Sequence, residues 1–316
     1  MKLSDYKTGD RVDDIPLLVK SSAVAKAKNG KYYMEAELTD GVTSIRTKCW
    51  DFDPSREYIP PPGTVSLFSG RMEEYNGTPQ FIIVTILPPT PGQDNPAAYM
   101  PYAPRPAEEM LDEIRAVVRA MRDDEIRRVV GKLVGDAVAA LGFTTAPASQ
   151  KLHHAEIGGL LHHITDTLKV ARALAEVYPW LDPDMLNAGV IIHDIGKLRE
   201  LYIAPIGLAE DYTTEGRLLG HLVLGVRAVR EAAAHCAISG EKSMLLEHMV
   251  CAHHGFREFG SPVQPQTPEA LALHLIDSLD AKMFQAAEAL KDTKPGAFSA
   301  KIYALDNRQM YKQRKD

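Results

Sequence analysis

Cysteine is scarce in this sequence, with three among 316 residues. Cys49, Cys236 and Cys251 stand far apart and show no paired spacing. This excludes a disulfide framework and a zinc ribbon, which both need paired cysteines, and it favours a reducing compartment. Long apolar runs are missing too, and Met1 is followed by polar residues, so neither a membrane span nor a signal segment is predicted. We therefore expect a cytoplasmic protein with no membrane partner.

A basic excess is also missing, because the formal net charge is -6. This balance argues against a broad electrostatic grip on nucleic acid, although a local basic groove or a metal cluster can still bind phosphate. We find no internal repeat, and the one biased segment is rich in proline. The length and the apolar fraction of 45% allow two domains with a core each.

The first part of the chain predicts a small β-barrel. Residues 14–89 contain five short runs with period-two alternation, separated by turn signals such as Asn29-Gly30 and Asn76-Gly77. No long helix is indicated there. Five short strands with such turns fit a closed barrel, and the OB-fold is the leading candidate for residues 1–90.

One face of this barrel has the composition of a nucleic-acid-binding surface. The run from Ser44 to Trp50 alternates, so its apolar side chains share one face of the strand and its cations the other. The predicted nucleic-acid-binding residues are Tyr33, Arg46, Lys48 and Trp50, with Tyr75 and Phe81 as further aromatic faces for unpaired bases. The alternative is that the aromatic side chains fill the barrel and the charges are solvated.

The rest of the chain predicts a helical architecture after a proline-rich linker. Residues 91–106 cannot form a regular helix and make a semi-stiff spacer. Residues 107–150 carry apolar side chains at helical spacing and are predicted to brace the next domain. Residues 151–300 predict one helix after another, an all-α bundle, and 301–316 a basic, mobile tail. Ligands that project inward from different helices of a bundle can form a metal pocket.

The histidines indicate such a pocket, since all eleven follow residue 150. His193 and Asp194 end an apolar run, Val190–Ile192, that is typical of a buried helix. A buried carboxylate needs a cation, a metal ion or several hydrogen-bond donors. Imidazole with carboxylate favours transition-metal ions, because magnesium and calcium prefer oxygen ligands.

A single histidine on a helix is more often structural than a ligand. We apply this interpretation to His153, His154, His235 and His248, and we treat His274 as an outer partner of the pocket at most. The other candidates occupy separate apolar helices, which is costly unless they meet. These candidates are His163, His193, Asp194, His221, His253, His254 and Asp277.

The ordered series His163, His193-Asp194 and Asp277 resembles the signature of the HD-domain metal-dependent phosphohydrolases. The added His221 and His253-His254 resemble the two-metal branch of that superfamily. Together with the N-terminal barrel and the segments Tyr212–His221 and Leu273–Lys282, the chain resembles the YhaM-type 3'-5' exoribonucleases over nearly its whole length.

The resemblance implies a role for each matched residue. His163, His193 and Asp277 would hold one ion, and His221, His253 and His254 a second ion. Asp194 would bridge the two and act in catalysis with Lys197, and Lys197 and Arg217 would contact phosphate oxygens. A salt bridge at a helix end is the alternative role for Lys197. Two divalent transition-metal ions are implied, with manganese expected and iron, cobalt, nickel and zinc as alternatives.

The resulting hypothesis is a metal-dependent 3'-5' exoribonuclease that hydrolyses single-stranded RNA to nucleoside monophosphates, with single-stranded DNA as a second candidate substrate. One alternative is a phosphodiesterase or phosphatase for small nucleotides, because the HD fold alone does not choose the phosphate ester. The other is a non-catalytic nucleic-acid-binding regulator with a structural metal site. The sequence leaves open whether the chain forms a homo-oligomer.

Overall fold

The computed structural model describes residues 2–27, 30–75, 78–100, 102–140, 142–149, 154–203, 209–291 and 293–314. The chain divides into two compact units, Met1–Pro101 and Tyr102–Asp316. The division falls within the proline-rich segment at 91–106. Among the described residues, no helix combines the length and apolar character needed to cross a bilayer. The cytoplasmic location stays a prediction.

The first unit is a closed five-stranded barrel. Its strands are β1 (Arg11–Lys26), β2 (Tyr32–Thr39), β3 (Ser44–Cys49), β4 (Val65–Tyr75) and β5 (Thr78–Leu87). The barrel closes in the order β1-β2-β3-β5-β4, and β3 and β5 pair in parallel while the other pairs are antiparallel. This Greek-key barrel is OB-like, as predicted. Asn29, Asn76 and Gly77, from the two predicted turns, lie outside the described residues.

The alternation in β3 sets which side chains enter the barrel. Ile45, Thr47 and Cys49 are buried, while Arg46 and Trp50, which follows the strand, are exposed. The prediction that Phe81 offers a face to nucleic acid is wrong. Its side chain is fully buried in the barrel core, since its position in β5 faces inward.

The second unit is mainly helical. Its helices are α1 (Ala107–Ala120), α2 (Asp124–Ala140), α3 (Gly159–Val177), α4 (Pro183–Ile192), α5 (Lys197–Glu200), α6 (Thr214–Cys236), α7 (Gly240–Ala252) and α8 (Pro268–Lys291). An antiparallel pair, β6 (Leu201–Ile203) and β7 (Ala209–Tyr212), joins α5 to α6. The all-α prediction is therefore wrong at this pair, whose strands are too short to produce a clear alternation.

Helix α4 lies at the centre of this unit. The Asp182 carboxylate accepts hydrogen bonds from the backbone N–H groups of Asp184 and Met185, and Pro183 occupies the first turn. The last five residues of the helix, from Ala188 to Ile192, are fully buried. The helix therefore begins at a defined N-terminal cap, and its C-terminal end lies in the core.

The predicted mobile tail is instead folded in its described part. Phe298 and Tyr311 form an antiparallel bridge, and the Ser299 backbone N–H donates to the Met310 carbonyl at 2.8 Å. Lys312 Nζ donates to the Leu290 carbonyl at the end of α8 at 2.7 Å. The prediction of mobility is wrong because these contacts depend on tertiary structure and not on composition.

Candidate metal centre and barrel face

Asp194 lies two residues after the end of α4, where it is almost completely buried. The preceding residue, His193, donates its Nδ1 hydrogen to the Val190 carbonyl at 2.9 Å. This bond turns the other ring nitrogen, Nε2, toward the Asp194 carboxylate, with His193 Nε2 3.4 Å from Asp194 Oδ2. The end of the apolar helix thus places an imidazole and a carboxylate side by side in the core.

One group of side chains gathers around Asp194 Oδ2. His163 from α3 has its Nε2 3.1 Å from His193 Nε2 and 3.3 Å from Asp277 Oδ1 of α8. The same His163 nitrogen lies 4.0 Å from Asp194 Oδ2. Three separate segments therefore contribute potential ligand atoms to one small volume.

A second group gathers on the Asp194 Oδ1 side. His221 of α6 and His254, just after α7, have their Nε2 atoms 3.3 Å apart. Asp194 Oδ1 lies 3.8 Å from His221 Nε2 and 3.6 Å from His253 Nε2. The two oxygens of one carboxylate consequently face two different groups. The structure brings all seven residues that the sequence singled out as metal ligands into this arrangement.

The outward ring nitrogens fix the orientation of every histidine in the two groups. A carbonyl or carboxylate oxygen can only accept a hydrogen bond, so each Nδ1 carries the hydrogen and Nε2 of the neutral ring carries a lone pair. The Nδ1 partners are the Val190, Val250 and Phe259 carbonyls for His193, His253 and His254, and the carboxylates of Asp280 and Glu200 for His163 and His221. Such outer partners are typical of metal-binding histidines.

These residues fit divalent metal ions. Lone pairs on Nε2 atoms that face one another about 3 Å apart repel unless a proton or a metal ion lies between them. Within the described part of the chain, the buried Asp194 Oδ1 has no hydrogen-bond partner. An orphaned carboxylate oxygen among imidazole lone pairs is explained by a metal ion better than by any protein donor present.

Without metal ions, the protonation of the clustered histidines and carboxylates is set by burial and by their neighbours. Burial alone would raise the pKa of Asp194, but the charges of Lys197 and His193 hold it well below its usual range. Burial alone would lower the pKa of His163, but hydrogen bonds to Asp277 and Asp280 raise it to about 10. Burial lowers the pKa of His253 and His254. These two rings are therefore neutral and ready to act as ligands, while His163 has to lose a proton first.

Two glycines allow the backbone to carry His221 into the centre. Gly220 has φ +70° and interrupts α6, and the next backbone N–H, that of His221, donates to Glu200 Oε1 at 2.9 Å. Gly196 packs against the same region, since an added Cβ would lie 2.0 Å from the His221 carbonyl oxygen. A side chain at position 196 would overlap the His221 backbone, and one at position 220 would strain the positive-φ backbone that precedes His221.

Lys197, one of the two predicted phosphate-binding residues, reaches the centre. Its Nζ donates to Asp194 Oδ2 at 2.6 Å, and the side chain is mostly buried. Arg217, the other, is exposed and donates to the Asp211 carboxylate at 2.6 Å. Its described contacts include none of the seven clustered residues. His274, treated as an outer partner, donates Nδ1 to the His253 carbonyl at 3.0 Å, while His153 lies outside the described residues.

Sequence reasoning missed the acidic outer partners. Asp280 lies one helical turn after Asp277 and so on the same face of α8, a spacing that could have identified it. Glu200 gives no such signal, because it contacts His221 through a tertiary fold across the β6–β7 pair. His154, interpreted as structural, lies within hydrogen-bonding distance of Asp280, with its Nε2 2.9 Å from Asp280 Oδ2.

The barrel assembles the predicted aromatic and basic residues on its outer surface. Lys48 Nζ lies 4.9 Å from the Trp50 ring centroid and 5.2 Å from that of Tyr33, and the two rings are 5.1 Å apart. Arg46 and Lys48 line a groove of about 640 Å³ together with Glu35, Glu37 and Tyr75. The surface therefore offers cations and flat rings, interleaved with two carboxylates.

The helical unit is of the HD-domain class, because residues 150–282 match the HD domain model. A protein from Geobacillus sp. (strain WCH70) that is described as 3'-5' exoribonuclease YhaM is 39% identical to this chain over 308 residues. The aligned residues cover 97% of this chain and 93% of that protein. The one from Bacillus subtilis (strain 168) is 38% identical, covering 97% of this chain and 96% of the relative. This chain belongs to the YhaM family, so the resemblance seen in the sequence is confirmed.

Among solved structures, one match is the second OB-fold domain of replication protein A from Methanococcus maripaludis. It is 16% identical, covers 27% of this chain and 90% of that chain, and has a TM-score of 0.22. The OB-like description of the barrel is drawn from its own strand order and pairing.

Proposed function

We propose that this chain is a metal-dependent 3'-5' exoribonuclease that hydrolyses single-stranded RNA to nucleoside monophosphates. The observation that carries the proposal is the position of Asp194, whose two oxygens face two separate groups of imidazoles. Family membership supports the reaction and its direction, since the relatives are described as 3'-5' exoribonucleases. The assignment of two ions, with manganese as the physiological metal, belongs to this proposal.

The proposed ligand roles follow the two groups. His163, His193 and Asp277 would hold one ion, His221, His253 and His254 would hold the other, and Asp194 would be a ligand of both. Divalent ions held there would supply Lewis-acid chemistry, which activates water at neutral pH and neutralises charge on a phosphodiester.

The surrounding residues keep this centre in shape. The carbonyls of Val190 and Val250 and the carboxylates of Glu200 and Asp280 hold the rings in the required tautomer. Lys197 offsets the charge of Asp194 and has an ammonium group positioned to donate to a phosphate oxygen of the substrate. Arg217 contributes to phosphate binding only if it leaves Asp211, so Lys197 is the stronger assignment.

The barrel supplies the second part of the proposed activity. Bases of a single strand stack on Trp50 and Tyr33, while Arg46 and Lys48 offset the charge of the backbone phosphates. Because stacking uses the π-face that every base has, this binding tolerates many sequences. It raises the local concentration of substrate without requiring a basic protein, which agrees with the net charge of -6.

The test is hydrolysis of one single-stranded RNA in two labelled forms with Mn²⁺. A 3'-labelled strand should release its label at once as a mononucleotide, and a 5'-labelled strand should give a ladder of shortening products. Asp194→Asn is the inactive control. Early release of the 5' label, or cleavage of cyclic dinucleotides and mononucleotides alone, would contradict the proposal, and binding without turnover would favour the regulator.

A further inference from the structure

A second polar cluster lies beside the metal centre and contributes none of the seven proposed ligands. It consists of His154, Glu156 and His162, which precede or begin α3. The three atoms that face one another are His154 Nδ1, His162 Nδ1 and Glu156 Oε1. Their separations are 3.1 Å between the two nitrogens, 2.8 Å from His162 Nδ1 to the carboxylate and 3.4 Å from His154 Nδ1. His154 and Glu156 are buried.

The opposite nitrogens of both rings point to other carboxylates. His154 Nε2 lies 2.9 Å from Asp280 Oδ2, and His162 Nε2 lies 3.2 Å from Asp166 Oδ2. A ring that donates its Nε2 hydrogen to a carboxylate presents a lone pair on Nδ1 when it is neutral. Two lone pairs and a carboxylate oxygen then converge on one point. This arrangement is repulsive unless a proton or a metal ion lies among the three atoms.

The spacing of the three atoms suits a metal ion. Ligand bonds of about 2.1 Å place neighbouring ligand atoms roughly 3.0 to 3.4 Å apart in octahedral or tetrahedral coordination. Two imidazoles with one carboxylate form a known zinc-binding set, and carboxylates behind the rings are the usual outer partners. The rival occupant is a proton, because hydrogen bonds to Asp166 and Glu156 outweigh burial and raise the pKa of His162 to about 9.

We infer that His154, Glu156 and His162 form a third cation site, which takes a divalent transition-metal ion of the zinc type. Asp280 links this site to the centre described above, because its Oδ2 lies 2.9 Å from His154 Nε2 and 2.7 Å from His163 Nδ1. The third ion stiffens the start of α3, which carries His163. The inference does not rest on the proposed function, since it concerns bound ions and not RNA.

The test counts ions on the full chain without substrate. The protein is stripped with a chelator, equilibrated with Zn²⁺ alone, freed of unbound ion and analysed for zinc per chain. Glu156→Gln and His162→Gln should each bind one ion fewer than the unsubstituted chain, while the matched exposed change Glu288→Gln should bind the full number. Neither Glu156 nor His162 is one of the seven clustered residues, so the other ions should stay.

Asp194→Asn separates this inference from the proposed centre. That variant should keep the third ion, and adding Glu156→Gln should remove it. Equal zinc content in the unsubstituted chain and in both single variants would overturn the inference and leave a shared proton as the occupant. If the variants fail to fold, as judged by circular dichroism, anomalous diffraction at the zinc edge decides on the unsubstituted chain. A peak among the three side chains supports the site, and its absence overturns it.

Discussion

Glu200 offers the sharpest test of how the metal centre is held. Its Oε1 accepts from His221 Nδ1 at 3.1 Å and from the His221 backbone N–H at 2.9 Å. The carboxylate is mostly buried, so water cannot replace it. Glu200→Gln keeps the shape of the side chain and removes its charge. The amide oxygen can still accept both bonds, but as a neutral acceptor.

The size of the effect follows from those two bonds. A hydrogen bond to a charged group contributes about 1 kcal/mol more than a neutral one. Two such bonds give about 2 kcal/mol, which corresponds to about 30-fold in an equilibrium constant. This lies within the 10- to 100-fold loss that is typical when the outer partner of a metal ligand is changed. We therefore expect about 30-fold weaker binding of the ion held by His221, His253 and His254.

The assay is competition for Mn²⁺ with a chelating dye, together with RNA hydrolysis measured as a function of Mn²⁺ concentration. Excess Mn²⁺ should restore the activity of Glu200→Gln, because the ligands themselves are intact. Glu215→Gln is the matched control, since Glu215 lies near the same ligand in sequence but is exposed and pairs with Arg227. An unchanged Mn²⁺ dependence in Glu200→Gln would refute the assignment of Glu200 as the residue that holds His221.

Four further outcomes are expected. Asp194→Asn should weaken Mn²⁺ binding more than about 100-fold, because this change removes a direct ligand of both groups, whereas Glu200→Gln alters an outer partner. It should also abolish the Mn²⁺-induced rise in melting temperature, and a retained rise would contradict the bridging role. Metal affinity should increase by about tenfold per pH unit below the His163 pKa of about 10, because the ion displaces one proton. Dye competition at pH 7, 8 and 9 measures this slope, and an affinity that does not change with pH would exclude the displacement of a proton. Trp50→Ala should weaken binding of a long RNA roughly 5- to 150-fold while dinucleotide hydrolysis is unchanged, and equal effects would argue against the barrel face. Gly196→Ala should lower the free energy of unfolding by about 1–3 kcal/mol in urea titrations, because its Cβ would overlap the His221 carbonyl; an unaltered midpoint would show that the backbone relaxes.

The inner residues of the centre were predictable because they break the pattern of their own segments. Asp194 and Asp277 are carboxylates within otherwise apolar helical stretches, where they need a partner. The histidines add a donor set that suits one class of ion. The local sequence therefore indicated the chemistry of the site, while the grouping into two sets came from the resemblance to the HD-domain family.

The outer shell was less predictable, because it depends on which surfaces meet. Glu200 reaches His221 only after the β6–β7 pair folds back, and that pair was itself missed. Phe81 illustrates the same limit in the barrel. An aromatic residue in a strand can face the core or the ligand, and a register of one residue decides which. The composition of the segment does not determine which of the two directions the side chain takes.

The proposed metal binding would be coupled to the folding of this unit. The metal-free centre holds the carboxylates of Asp194 and Asp277 in the core, with the ammonium of Lys197 and the proton of His163 as the cations that offset them. Removing either cation without a replacement would leave a buried charge unpaired, at a cost of several kcal/mol. Divalent ions bound as proposed would replace the proton and satisfy Asp194 Oδ1, so they would stabilise the native state and not the unfolded chain. The proposed ions would thereby also complete the core around α4, and stripping them should lower stability before it alters the helical content.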